Sequence, residues 1–103
     1  MTGRLDQFAQ NGVVLLDGGM GQELRKRRQD GDKAFWGTGV LIEAPHQVKE
    51  VHTDYINAGA RVITTNTYAL LRTRLDEWGL SQSKFPELMD RAGRLAVEAR
   101  QET

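Results

Sequence analysis

Residues 13–24 read Val-Val-Leu-Leu-Asp-Gly-Gly-Met-Gly-Gln-Glu-Leu, and this stretch decides the fold. Four apolar residues end abruptly at Asp17, two glycines follow, and a helical pattern starts at once. An apolar run before a glycine turn and a helix is typical of a buried strand in a parallel sheet. Because ligands bind at the carboxyl ends of such strands, Asp17 is a candidate ligand-binding group.

A second stretch, residues 61–68, reads Arg-Val-Ile-Thr-Thr-Asn-Thr-Tyr and has the same organisation, an apolar strand whose last residues are polar. Strands that are separated by helices pair in parallel through right-handed connections, so both carboxyl ends face the same side. We therefore expect Asp17 to share one mouth with Thr65, Asn66 and Thr67. Tyr68 fits this mouth and half-buried packing equally well.

The rest of the chain contains apolar residues at helical spacing and residues typical of helix ends. They predict a short helix ending at residues 11–12, a helix over 20–28, one from Pro45 to a glycine cap at Gly59, and one within 68–79. The last helix starts near Phe85 with Ser83 as a candidate N-cap. Its apolar residues are predicted to share one face and are Phe85, Leu88, Met89, Ala92, Leu95, Ala96 and Ala99. Residues 29–39 are polar and glycine-rich and predict a long loop that contains Trp36.

The predicted elements indicate an α/β fold with two strands, and two strands are too few for a stable parallel sheet. A complete (β/α)8 TIM barrel needs about 250 residues, whereas this chain has 103. We therefore expect residues 1–103 to form the N-terminal portion of one barrel domain, its first two parallel strands with their helices. On this interpretation the domain is incomplete, as a truncated chain or as a piece that relies on partners.

Composition narrows the function classes. Fourteen basic and fourteen acidic residues give a net charge of zero, which argues against a nucleic-acid partner. The absence of cysteine excludes disulfides and thiolate metal ligands from this chain. No apolar run is long enough for a membrane helix and the N-terminus lacks a signal core, so we expect no membrane partner and a cytoplasmic location.

The candidate site residues each allow a structural and a functional interpretation. Asp17 can accept hydrogen bonds from an ammonium group, or it can cap the helix that follows. Gly18 and Gly19 can let a ligand approach the backbone and offer N–H groups to a carboxylate, or they serve the turn alone. Trp36 is a hydrophobic plug or a pocket wall. With only two histidines a histidine metal site is not expected, and His52 is expected on a helix surface.

Four motifs together resemble the homocysteine S-methyltransferase family, which includes betaine-, S-methylmethionine- and cobalamin-dependent enzymes. Residues 16–24 read LDGGMGQEL, 42–45 read IEAP, 51–60 read VHTDYINAGA and 62–68 read VITTNTY. Their order and spacing match the family over about residues 13–68. The final helix matches only as an amphipathic segment.

The resemblance implies a zinc-dependent enzyme that transfers a methyl group to the homocysteine thiolate and yields methionine. Asp17 would hold the homocysteine ammonium, Gly18 and Gly19 would shape the floor, and Thr65, Asn66 and Thr67 would line the pocket. Trp36 would contribute to the side of the methyl donor. The family's zinc ligands are cysteines from later strands, so the resemblance implies no catalytic residue and no metal ligand within this chain.

Two alternatives stay open at this level. The chain can be an inactive fragment or assembly piece that docks with a complementary barrel segment. It can also be a small α/β module that binds a phosphorylated ligand at the turn of residues 18–21, although the Asp17 carboxylate would repel phosphate.

Overall fold

The computed structural model describes residues 13–27, 36–68 and 70–103, with the side chains of residues 36 and 37 excluded. The predicted N-terminal helix, and residues 29–35 of the loop predicted over 29–39, lie outside these ranges. The described residues form five helices: α1 (Met20–Arg27), α2 (Trp36–Glu43), α3 (Pro45–Asn57), α4 (Arg72–Glu77) and α5 (Lys84–Glu102). None of the helices in the described part is long and apolar enough to cross a membrane.

Helix α3 begins and ends where its sequence predicts. Pro45 occupies the start of the helix, where a missing N–H costs no helical hydrogen bond. At the other end the amide of Gly59 donates to the Ile56 carbonyl and that of Ala60 donates to the Tyr55 carbonyl, both at 3.0 Å. This pair of bonds is a Schellman motif, and it requires the left-handed φ of +114° found at Gly59.

The same motif ends α4. Gly79 has a φ of +72°, and the amide of Leu80 reaches back to the Leu75 carbonyl at 2.9 Å. Leu75 is buried, so the short helix is held by one apolar anchor and a glycine cap. The predicted helix within 68–79 is confirmed, in the shorter form Arg72–Glu77.

Helix α5 supplies one wall of the core. Its buried positions follow the predicted helical face and are Leu88, Ala92, Leu95, Ala96 and Ala99. They pack mainly against α3, whose inward side chains are Val48 and Val51. Met89, predicted on the same face, is 40% exposed instead. Ser83 stands at the N-cap position but makes no capping bond, because its hydroxyl pairs with that of Ser81 at 2.9 Å.

Helix α2 contradicts the prediction of a loop that extends to Gly39. Glycine disfavours a helix interior by about 1 kcal/mol relative to alanine, and this low propensity made residues 36–39 look like loop. Tertiary burial outweighs it, because Val40 and Leu41 are buried in the core shared with α3 and α5. The Arg91 guanidinium also donates to the Leu41 carbonyl at 3.2 Å, which ties the end of α2 to α5.

The two predicted strands come together in parallel but do not form regular strands in the described residues. We call residues 13–17 the first bridge segment and residues 61–65 the second. Leu16 and Val62 form an isolated parallel bridge, flanked by bonds from the Asp17 amide to the Val62 carbonyl at 3.0 Å and from the Arg61 amide to the Leu15 carbonyl at 2.8 Å. The parallel direction is confirmed and the continuous strands are wrong.

The physical reason is a lack of covering elements in the described structure. Parallel strands are stable when neighbouring strands and both sheet faces are covered. Here Leu15 and Leu16 are 54% and 68% exposed, so apolar burial contributes little to pairing and the ladder stays short.

Two glycine substitutions test the helix ends. Gly59→Ala places a side chain at a φ of +114°, and we expect it to lower the free energy of unfolding by about 1–3 kcal/mol. Gly93→Ala is the matched control, because it lies inside α5 with no atom within 4 Å of an added Cβ. Its effect should be neutral or stabilising by up to about 1 kcal/mol. Urea unfolding measures the free energy of unfolding of both variants. An equal change in the two variants would contradict the assignment of Gly59 as the cap of α3.

Candidate functional site

The Asp17 carboxylate joins the two bridge segments at their carboxyl ends. Its Oδ2 atom accepts a hydrogen bond from the Thr64 amide at 2.7 Å, and its Oδ1 atom accepts one from the Thr64 hydroxyl at 3.2 Å. The Asp17 amide donates to Val62 on the same segment. The Asp17 side chain thus extends across to the second bridge segment, where both of its oxygens contact Thr64.

This arrangement leaves the carboxylate able to bind a ligand. An ionised carboxylate offers about four lone-pair sites, and Thr64 occupies two of them. Asp17 is half-buried, so part of the group is accessible. A half-buried anion that is fixed by two hydrogen bonds suits a cationic partner such as an ammonium group.

Gly18 and Gly19 form the turn between Asp17 and α1. The Gly19 carbonyl accepts two hydrogen bonds, from the Glu23 amide at 3.3 Å and from the Tyr55 hydroxyl at 3.2 Å. The first of these closes the opening turn of α1. The amides that precede Glu23 in this turn have no acceptor within the helix, so the turn presents backbone donors beside the Asp17 carboxylate.

Thr65, Asn66 and Thr67 form a tight turn directly after Thr64. The Thr67 amide donates to the Thr65 carbonyl at 2.8 Å, and the two threonine hydroxyls lie 3.0 Å apart. All three residues are half-buried. The structure thus brings this turn next to Asp17, because Thr64, which donates to the carboxylate, directly precedes it.

Three residues differ from their expected places. The sequence gives no separate signal for Thr64, because it lies in a run of threonines, and only the pairing register shows that it contacts Asp17. Tyr68 is 98% exposed and not half-buried. Trp36 begins α2, but its side chain lies outside the described residues, so its contribution to a donor side stays a prediction.

His52 lies beneath this site and corrects the expectation of a surface histidine. Its side chain is fully buried in α3, and within the described part of the chain neither ring nitrogen has a hydrogen-bond partner. Burial lowers the pKa of His52 from its ordinary value near 6.5, and the Asp17 carboxylate opposes this shift by attraction. The imidazole is therefore neutral at pH 7. Its helical position alone, one residue after the buried Val51, did not reveal which side of α3 it occupies.

The donor atoms available here do not fit a zinc site. The chain contains no cysteine, and among residues 13–27, 36–68 and 70–103 no group of three histidine, aspartate or glutamate side chains is placed to hold a metal ion. We assign no step to a metal on residues of this chain.

The buried His52 predicts a dependence of stability on pH. Because the folded state depresses its pKa, the unfolded chain takes up a proton near pH 6.5 that the folded chain does not. The free energy of unfolding should be retained above pH 6.5 and fall below it, by at most about 1.4 kcal/mol per pH unit. Urea unfolding between pH 7.5 and 5.5 measures this. His52→Leu should flatten the dependence, and an unchanged slope would contradict the assignment.

Comparisons with known proteins agree on one family. The family model for homocysteine S-methyltransferase matches residues 14–103. The chain is 37% identical over 89 residues to homocysteine S-methyltransferase 4 of Zea mays, covering 86% of this chain and 26% of the relative. It is 32% identical over 89 residues to the selenocysteine Se-methyltransferase of Brassica oleracea, covering 86% of this chain and 26% of the relative.

A solved structure is similar in fold as well. The metallated form of the homocysteine methyltransferase MmuM from Escherichia coli superposes with a TM-score of 0.78 at 33% identity, covering 87% of this chain and 31% of that chain. This chain therefore spans between a quarter and a third of the length of these relatives.

Proposed function

Because the chain belongs to the homocysteine S-methyltransferase family, we propose that its site binds the amino-acid end of homocysteine for methyl transfer to the sulfur. The single observation that carries the proposal is the Asp17 carboxylate, which is held at the carboxyl ends of both bridge segments with acceptor capacity left over. An α-amino acid carries an ammonium group that this anion can bind. Selenocysteine carries the same ammonium group. The proposal therefore specifies how the amino-acid end is bound, and it does not distinguish a sulfur from a selenium substrate.

The neighbouring residues complement the rest of such a ligand. Gly18 and Gly19 bring backbone close to the ligand, and the unpaired amides at the start of α1 suit its carboxylate. Thr65, Asn66 and Thr67 would line the adjoining wall. The Asp17 carboxylate lies next to the Gly18–Gly19 turn and would repel a phosphate bound there. This repulsion argues against a phosphate-binding module.

We further propose that residues 1–103 belong to a (β/α)8 barrel and that a complementary part of the barrel covers the bridge segments. Large apolar side chains are exposed on the first bridge segment, where Val13, Leu15 and Leu16 are 61%, 54% and 68% exposed. Apolar side chains grouped in this way mark a surface that another element covers. Further strands on this side would complete the sheet that the isolated bridge begins.

The sulfur chemistry is assigned outside these residues. Zinc, which the family implies, would supply a Lewis acid that keeps the homocysteine sulfur deprotonated. This chain's contribution is to bind and orient the amino-acid end, and on its own it should not catalyse the transfer.

Asp17→Asn tests the proposed role of the carboxylate. An asparagine can keep both contacts with Thr64, by accepting from the amide and donating to the hydroxyl, but it lacks the negative charge. We expect little change in stability and a loss of homocysteine binding of about 1.5–3 kcal/mol, which is roughly 10- to 150-fold in Kd. Titration with L-homocysteine under reducing conditions measures it.

Two controls sharpen this experiment. Asp90→Asn removes an exposed carboxylate that pairs with Arg94 on α5 at 2.9 Å and should leave the affinity unchanged. The analogue 4-mercaptobutanoate lacks the ammonium group and should bind the parent chain and Asp17→Asn equally. An Asp17→Asn variant with the parent's homocysteine affinity would refute the role, and tighter binding of inorganic phosphate would favour the phosphate module.

A further inference from the structure

Tyr55 of α3 contacts the Gly18–Gly19 turn. Its hydroxyl donates to the Gly19 carbonyl at 3.2 Å, across 36 residues of sequence. A Cβ atom added to Gly18 would lie 2.8 Å from the same phenol oxygen and 3.1 Å from two of the ring carbons. Real Cβ atoms essentially never approach another atom within 3.0 Å, so the phenol occupies the space that any larger residue at position 18 would need.

The Gly19 carbonyl is also the first acceptor of α1, through the Glu23 amide at 3.3 Å. A trans peptide is planar, so fixing the Gly19 carbonyl also fixes the direction of the Met20 N–H, which points the opposite way. That N–H is among the donors at the start of α1 that have no partner in the helix. Tyr55 therefore sets the orientation of a backbone donor that it does not itself contact.

We propose that Tyr55 is a positioning residue for the ligand site. Its hydroxyl holds the Gly19–Met20 peptide so that the Met20 amide faces the ligand carboxylate, and a side chain at position 18 would displace the phenol from that contact. This inference rests on the proposed function for the identity of the ligand, but the coupling between Tyr55 and Gly18 does not depend on it.

The rest of α3 explains why Tyr55 can serve this purpose. Val51 and the fully buried His52 lie about one turn earlier on the helix and anchor it in the core. The Arg27 guanidinium, at the end of α1, pairs with Asp54 at 2.8 Å and with Glu23 at 3.3 Å, which links α1 to α3. The phenol thus extends from a fixed helix to a turn that has no side chains of its own to hold it.

The test uses Tyr55→Phe, Gly18→Ala and the double variant, with Gly93→Ala in α5 as the matched control. No atom lies within 4 Å of a Cβ added at Gly93, so that control should change nothing at the site. Tyr55→Phe should shift the Met20 amide signal in a ¹H–¹⁵N spectrum and weaken L-homocysteine binding about two- to tenfold, the range expected for one neutral hydrogen bond. A merely structural tyrosine would not move that amide signal selectively.

Gly18→Ala should destabilise the chain in the parent background and less in the Tyr55→Phe background, because the oxygen at 2.8 Å is then absent. If Gly18→Ala alone fails to fold, recovery of folding in the double variant supports the inference equally. An unshifted Met20 amide in Tyr55→Phe, or the same Gly18→Ala penalty in both backgrounds, would overturn it. If the parent chain does not bind homocysteine, the proposed function fails, while the amide shift and the coupling still decide the role of Tyr55.

Discussion

The hydrogen bonds from Thr64 to the Asp17 carboxylate are the interaction on which the site depends. The bridge segments share little regular backbone pairing in the described residues. The side chain of Asp17 adds one more hydrogen bond between them, because its carboxylate accepts from the Thr64 amide at 2.7 Å. This contact places the glycine turn, the start of α1 and the threonine turn around one half-buried anion. Asp17 is therefore a structural link, and the ligand binding proposed for it would use different lone pairs of the same group.

Much of the helical framework could be predicted from the sequence, because its signals are local. Pro45 and Gly59 bound α3 through constraints on φ that each residue carries by itself. The apolar spacing of α5 predicted its buried face, with Met89 as the exception. The closeness of Asp17 to the turn of Thr65, Asn66 and Thr67 was also predictable, since parallel pairing brings the carboxyl ends together, and the Leu16–Val62 bridge has that direction. Their role in ligand binding stays a prediction.

The features that could not be predicted depend on contacts distant in sequence. Helix α2 forms against glycine propensity because Leu41 is buried between other helices. His52 is buried although its spacing fits either side of α3, and only the register of the bridge places Thr64 against Asp17. The contact of Tyr55 with the glycine turn spans 36 positions, and no local sequence pattern around either residue predicts it. The cytoplasmic location and the role of Trp36 stay predictions.

Amide hydrogen exchange at Thr64 tests the bridging role of the carboxylate most directly. In the parent chain the Thr64 amide should exchange slowly relative to the exposed backbone around it, because the Asp17 carboxylate accepts its hydrogen. In Asp17→Ala its protection should disappear, while amides in the core of α5, such as that of Leu95, keep theirs. A Thr64 amide that is equally protected with and without the carboxylate would contradict the claim that Asp17 joins the two segments.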